Sequence, residues 1–384
     1  EIKNLTDVIK SGEWWCGFPG MHEGKHVWKF QEEFAKFQEA NHCIAVFNGT
    51  VAIESALMAL DIGLGDEVIV SDYTFVASAS AVIATNAVPL FCDIDRETLV
   101  MDVNKVESLI TKRTKAIIPV HLAGNPVEMD ALMEIANNFN LHVIEDCSHA
   151  HGSRYKGKRV GNWGDAGTFS FQASKVLTGG EGGAVICNSK DLADKIYSYT
   201  DCGRIINGYG YKHDTYGTNY RMTEYQAAVL RAQLIKFPTQ HELRNENASY
   251  LMEQLNQIDG IQVMKPTPGT TELGWYVYPI VFEPEKFNGL TKSKFYKKLN
   301  RAGIPTDDCY PPLHGLDCFK NVVLKKNIDY SEANWGSTKS EDKNFPVVSD
   351  IYSRSVEFPH EILLASKEML DSIVKLIISL KKSD

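Results

Sequence analysis

Lys175 stands between an apolar run and a run of glycines. The stretch reads Gly167-Thr168-Phe169-Ser170-Phe171-Gln172-Ala173-Ser174-Lys175-Val176-Leu177-Thr178-Gly179-Gly180-Glu181-Gly182-Gly183. Small and polar side chains surround the lysine. Partial burial beside Phe171 and the glycines would lower its pKa, and an amine of that kind forms Schiff bases. Most lysines are solvated surface charges, so the residue carries weight only in company. The glycines are not a phosphate loop. Neither GxxxxGK[ST] nor GxGxxG spacing occurs, and a strand rather than a helix follows them. They read as a tight turn.

Two further segments supply the company. Asn48-Gly49-Thr50 follows the strand-like run Ile44–Phe47 and precedes a helix. A Gly-Thr pair at a helix start offers free backbone N–H groups, a hydroxyl and the positive end of the dipole, which suits an anion or phosphate. A helix cap with no ligand is the plain alternative. Val143-Ile144-Glu145-Asp146-Cys147 is an apolar strand that ends in acid. Ligands bind beyond the carboxyl ends of parallel strands, so Asp146 is placed to face a cationic ligand atom. His149 and His151 follow at once and leave metal binding open. Together the three segments meet the needs of pyridoxal 5′-phosphate (PLP). That cofactor takes a lysine for its aldehyde and an anion cradle for its phosphate. It also takes a carboxylate that keeps the pyridine nitrogen protonated, so that the ring acts as an electron sink. Lys175, then Gly49, Thr50 and Ser170, then Asp146 match those roles in turn.

The elements that must hold these residues alternate between strand and helix. Strands are expected at Glu67–Val70, Pro89–Asp93, Ala116–Val120, Leu141–Asp146, Gly167–Phe171 and Ala184–Cys187. Helices are expected at Val51–Leu60, Ala77–Thr85, Asn104–Thr111, Val127–Phe139, Lys190–Thr200 and Glu224–Leu234, with an amphipathic helix over residues 26 to 40. Such alternation argues for an α/β fold with a parallel sheet covered on both faces. Near residue 240 the pattern changes. A charged helix over His241–Ile258 leads to antiparallel-type strands at Ile261–Met264 and Trp275–Phe282, a helix at Lys292–Arg301, and a final amphipathic helix at Ser366–Lys381. Residues 1–240 therefore read as a large domain and 241–384 as a smaller α+β domain. The polar stretch Lys325–Asn344 reads as a loop.

Bulk properties narrow the function. The chain has 384 residues, 43% hydrophobic and 23% charged, with a net charge of -9. That balance argues against a nucleic-acid partner, which needs a basic patch. No run approaches the ~20 consecutive apolar residues of a membrane span. The first residues are polar and do not resemble a signal peptide. Eight cysteines are spread out with no CxxC pair, which reads as free thiols in a reducing cytoplasm and no zinc site.

With these residues in view, the chain resembles the DegT/DnrJ/EryC1/StrS family of sugar aminotransferases. The resemblance runs from Ser11-Gly12-Glu13-Trp14-Trp15 through Asn48-Gly49-Thr50, Tyr73-Thr74-Phe75-Val76-Ala77-Ser78 and His121-Leu122-Ala123-Gly124. It continues through Glu145–Gly152, Phe169–Gly183, Asn219–Ala228 and Tyr310-Pro311-Pro312-Leu313-His314. It implies the type I aspartate-aminotransferase fold, with a large mixed, mostly parallel sheet domain and a smaller α+β C-terminal domain. It implies Lys175 as the Schiff-base residue, Asp146 on the pyridine nitrogen and Phe75 on the ring face. Gly49, Thr50 and Ser170 would bind the phosphate, and His149 would lie near the ring hydroxyl. Asn219, or else Arg221, would reach the cofactor phosphate of a second subunit, which implies a homodimer with shared sites. Tyr310 and His314 would line the substrate pocket, with Trp15 and Glu181 as further candidates. Phe171-Gln172 before the lysine and Thr178–Gly183 after it look most like the glutamine:scyllo-inosose aminotransferases and 3-amino-5-hydroxybenzoate synthase. That branch implies a keto sugar or keto cyclitol as acceptor and glutamine or glutamate as amino donor, in a ping-pong reaction. A sugar dehydratase of the same superfamily would replace Lys175, commonly with histidine. A non-catalytic regulator on this fold is the other alternative, and a metal enzyme using His121, His149 and His151 is a third.

Overall fold

The computed structural model describes residues 1–17, 25–205, 212–320 and 344–382. The stretch Lys325–Asn344 falls outside them, apart from Asn344.

Short strands rich in Val, Ile and Leu have no polar face to offer water, so they pack as the middle of a layered sheet. Glu67–Ser71 and Val88–Cys92 are buried along their whole length. They belong to a seven-stranded sheet in the order His42–Val46, Gly183–Cys187, Ala166–Ser170, His142–Asp146, Thr114–Ile118, Glu67–Ser71, Val88–Cys92. Six strands run one way. Gly183–Cys187 runs against both its neighbours, Ala166–Ser170 and His42–Val46. Strand–helix alternation does not reveal that reversal, because a loop, not a helix, joins Ser170 to Gly183. The sheet is therefore mixed and mostly parallel.

Two expected helices are one. Glu224–Leu255 is a single 32-residue helix with Pro238 inside it. A proline lacks the N–H for the helical ladder, which is why the pattern suggests a break there. Leu230, Leu234 and Phe237 before Pro238 are buried in one core cluster and Ala248, Leu251 and Leu255 after it in another, so packing holds both halves in place. The helix starts with a capping box between Thr223 and Gln226. Asn104–Thr111, expected as one helix, is a four-residue helix at Val103–Val106 and a 3-10 turn at Glu107–Leu109. A helix at Ile2–Ser11 and a strand at Ser355–Pro359 were not expected.

The second sheet is antiparallel, in the order Ile261–Val263, Val277–Phe282, Ser355–Pro359, Asp307–Asp308. Its apolar face shares one core with the first sheet: Ile69, Leu90, Ile117 and Leu132 join Tyr278, Ile280, Phe282, Phe295 and Phe358. The eight cysteines are free. Among the described residues no helix is long and apolar enough to cross a membrane.

Candidate active site

The sheet gathers the chemistry at one edge. Asp146 and Ser170 end adjacent parallel strands, and Asn48 follows the strand beyond the reversed one. Asn48 Oδ1 accepts the Val51 N–H at 3.0 Å and so starts the helix Gly49–Ala59. The first N–H groups of a helix have no partner within it, which leaves an anion site in front of Gly49 and Thr50. Gly49 lies directly against Ser170: a Cβ there would come within 2.7 Å of the serine Cβ. Any other residue would push helix and strand apart and widen the cradle.

Lys175 sits in the loop after Ser170. Its backbone N–H donates to Gln172 O at 2.9 Å, and Gly179 N–H donates to Phe171 O at 3.0 Å. The loop is thus folded back on Phe171, and the amine is carried over the ring of Tyr276, 3.8 Å from its centroid. Burial lowers the Lys175 pKa to about 8, and the charges of Asp146 and Glu357 oppose that shift.

Asp146 is 4% exposed and held on both oxygens. Ser78 Oγ donates to Oδ2 at 2.7 Å, and the Ser148 N–H donates to Oδ1 at 3.1 Å. His149 lies among aromatic rings, 4.1 Å from the Tyr276 centroid and 5.7 Å from that of Tyr310. The Ala123 N–H donates to His149 Nδ1 at 3.4 Å, so the hydrogen is on Nε2, which lies 3.4 Å from the Tyr310 hydroxyl. Burial and the nearby Lys175 charge keep this imidazole neutral, its pKa well below the ordinary value. Phe75 is 52% exposed, with its ring 5.8 Å from that of Tyr310.

The remaining expected site residues are placed as follows. His314 is buried, and its ring is bound to Asp72, with Nδ1 2.5 Å from Oδ2, while its backbone N–H donates to Oδ1 at 2.8 Å. It stacks on Phe345 at 4.3 Å. Trp15, Glu181 and Asn219 lie at the exposed surface. Arg221 donates to buried Asp201 at 2.6 Å and packs 5.9 Å from the Trp15 ring, while Asn219 accepts only weakly from the Arg221 N–H at 3.4 Å.

Sequence reasoning missed Tyr276 and Glu357. Tyr276 is held over the site by its neighbours: Gly124 (φ +91°) meets Gly274 and Trp275 so closely that a Cβ would come within 2.4 Å of the Trp275 nitrogen. The His121-Leu122-Ala123-Gly124 motif hinted at this contact. Glu357 is paired in register with Pro279 and Asp307, between the buried Val356 and Phe358. Burial, then Asp307, pushes its carboxyl up to about 8, and Lys175 opposes that. No local pattern marks it.

His121, Glu145 and Cys147 bring ligand-type atoms within 4.8 Å of one another. The carboxylate of Glu145 and both ring nitrogens of His121 are already used. Glu145 accepts from the N–H groups of Gly161, Trp163 and Gly164 and from His121 Nε2, while His121 Nδ1 accepts from the Val127 N–H. The group is a brace for the loop that follows Arg159, and its arrangement does not suit a metal. His151 packs instead between Phe169 and Phe171, at 5.5 and 5.6 Å.

Burial drives the His151 pKa down to about 3, with Lys175 adding to the shift. A folded-state pKa depressed below the ordinary 6.5 contributes stability that is present above pH 6.5 and lost as pH falls toward 3. Going from pH 6.5 to 5, this one histidine costs about 1.5 kcal/mol. His151→Phe fits between the two phenylalanines and carries no proton. Urea unfolding at the two pH values is expected to show a loss smaller by that amount in the variant. Equal losses in both proteins would show that His151 is not buried neutral.

Fold and site together describe an α/β protein with a buried lysine amine beyond the carboxyl end of its sheet. The DegT/DnrJ/EryC1/StrS aminotransferase family profile matches residues 1–375, and the chain belongs to that family. It is an aminotransferase. It is 39% identical to L-glutamine:2-deoxy-scyllo-inosose aminotransferase of Streptomyces lividus, over 96% of this chain and 89% of that one. It is 42% identical to GDP-perosamine synthase of Escherichia coli O157:H7, over 80% of this chain and 82% of that one. The crystal structure of 3-amino-5-hydroxybenzoic acid synthase superposes with a TM-score of 0.86 at 32% identity, over 98% of this chain and 95% of that one.

Proposed function

We propose that this enzyme uses PLP, held by Lys175, to move an amino group from glutamine or glutamate onto a keto cyclitol or keto sugar. The reading is carried by the Lys175 amine, its pKa lowered to about 8, at the same sheet edge as the bonded carboxylate of Asp146. The residues fit the cofactor. The space in front of Gly49 and Ser170 suits a phosphate, and Thr50 adds a hydroxyl. When bound, the cofactor withdraws electrons from the carbon that carries the amino group. Asp146, fixed by Ser78 and Ser148, holds the proton on the ring nitrogen. Phe75 offers an exposed face to the ring, and neutral His149 offers a hydrogen to its hydroxyl. Lys175 would take a proton off the donor carbon as base and give it as acid to the carbon that was the cofactor's aldehyde, a role that favours a pKa near the working pH.

Arg221 is tied to Asp201, which leaves exposed Asn219 to reach the phosphate held by a second copy. On that reading the working unit is a homodimer. Trp15, Glu181, Tyr310 and His314 are assigned to the acceptor pocket, between residues 1–240 and 241–384 as the two domains.

The relatives named for scyllo-inosose support a cyclitol ketone and glutamine as donor. A half-reaction tests this. PLP-loaded protein treated with glutamine is expected to lose its visible absorption band, and a keto cyclitol is expected to restore it. Restoration only by nucleotide-linked keto sugars would replace the acceptor class. No response to glutamine or glutamate would defeat the donor assignment.

A further inference from the structure

Ser174 immediately precedes Lys175, and its carbonyl is held from the second sheet. His360 opens the turn His360–Leu364 that follows the strand Ser355–Pro359, and it is buried. Its Nδ1 lies 3.4 Å from Nη2 of Arg244, and its Nε2 lies 3.2 Å from the Ser174 carbonyl oxygen. A guanidinium only donates, so Nδ1 accepts. The ring's one hydrogen is then on Nε2, which donates to Ser174. Only the neutral ring makes both bonds.

Arg244 is 2% exposed on the helix Glu224–Leu255, and its Nε and Nη1 have no hydrogen-bond partner among the described residues. On the same helix, Asn247 Nδ2 donates to the carbonyls of Leu363 at 2.9 Å and Ala365 at 3.0 Å. Helix and turn are thus clamped at two points. From Ser174 the contacts run on to the amine. Ser174 Oγ lies 2.9 Å from the Tyr276 hydroxyl, and the Tyr276 ring lies under Lys175 Nζ.

We propose that His360 is a positioning residue for Lys175: by holding the Ser174 carbonyl against Arg244, it keeps the lysine amine on the Tyr276 ring and away from water. The inference rests on the proposed function only for its meaning in catalysis, since the positioning is a property of the chain alone. Three charged groups face the imidazole. They are Arg244 from the helix, Lys175 from its loop, and Glu361 in its own turn, with Oε1 3.6 Å from Nε2. Burial and then the Arg244 charge lower the His360 pKa to about 4, so the strut is intact at neutral pH.

The test is the proton affinity of Lys175 in the full chain freed of carbonyl ligands, read by peptide mass spectrometry as the pH dependence of its acylation. The wild-type midpoint is expected near 8. His360→Leu removes both bonds and is expected to raise the midpoint by about one unit or more, a tenfold loss of free amine at a given pH. His360→Gln keeps an amide N–H for Ser174 and is expected to stay near wild type. If the leucine variant does not fold, His360→Asn takes its place. Its amide oxygen can accept from Arg244, but the side chain is too short to carry its N–H to Ser174, and the same rise is expected. An unchanged midpoint in the leucine or asparagine variant, or an equal rise in His360→Gln, overturns the inference. No cofactor takes part, so failure to bind PLP would count against the proposed function and leave this result standing.

Discussion

Lys175→Ala is expected to lower turnover by about 10³-fold or more, the size of a lost proton-transfer group combined with a lost covalent anchor. The change removes the amine and little else. The backbone N–H of residue 175 still reaches Gln172 O, and Val176 and Leu177 remain buried. The loop should therefore hold its shape and the melting temperature should move little. Two measurements decide: the steady-state rate, and the visible absorption band that lysine-bound PLP gives. Both are expected to vanish together. Retention of both in the alanine variant would sink the assignment of Lys175.

Asp146→Asn has the second largest effect. The carboxylate is fixed by Ser78 and Ser148, and the amide occupies the same space without the charge. It no longer stabilises a proton on the ring nitrogen. A loss of about 10²–10³-fold in kcat is expected, as for other preorganised electrostatic contacts, with a smaller change in KM. There is a second consequence. The Asp146 charge raises the Lys175 pKa against burial, so its removal is expected to lower the acylation midpoint of the lysine further below 8. An unchanged kcat would remove Asp146 from the mechanism. An unchanged lysine midpoint would show that the two groups do not sense each other.

Lys175, Asp146 and Gly49 are legible in the sequence because each follows an apolar strand that announces it, and the chemistry of each is local. Tyr276, Glu357 and His360 are not. Tyr276 comes from the connection just before the strand Val277–Phe282, Glu357 from the second sheet and His360 from the turn after it, and nothing within a few residues marks them. The same limit applies to the fold. Buried strands and amphipathic helices follow from periodicity, within a few residues at their ends. The reversed strand Gly183–Cys187 and the helix running through Pro238 depend on distant packing, which a local pattern does not contain. His314 shows the converse case. Its motif is clear, yet the structure ties its ring to Asp72, a partner that no spacing reveals.

The reversed strand has a consequence for how the chain comes to be folded. His42–Val46 lies at the rim of the large sheet, and its ladder partner there is Gly183–Cys187, with His42 opposite Cys187. During synthesis the early strand must wait until that distant segment leaves the ribosome. Closing so long a loop is slow, and an unpaired strand edge invites association meanwhile. The lysine loop is the last connection made before the rim closes. Until Gly183–Cys187 has emerged, the edge of His42–Val46 stays unpaired, so the rim of the large sheet is where the nascent chain is open to association.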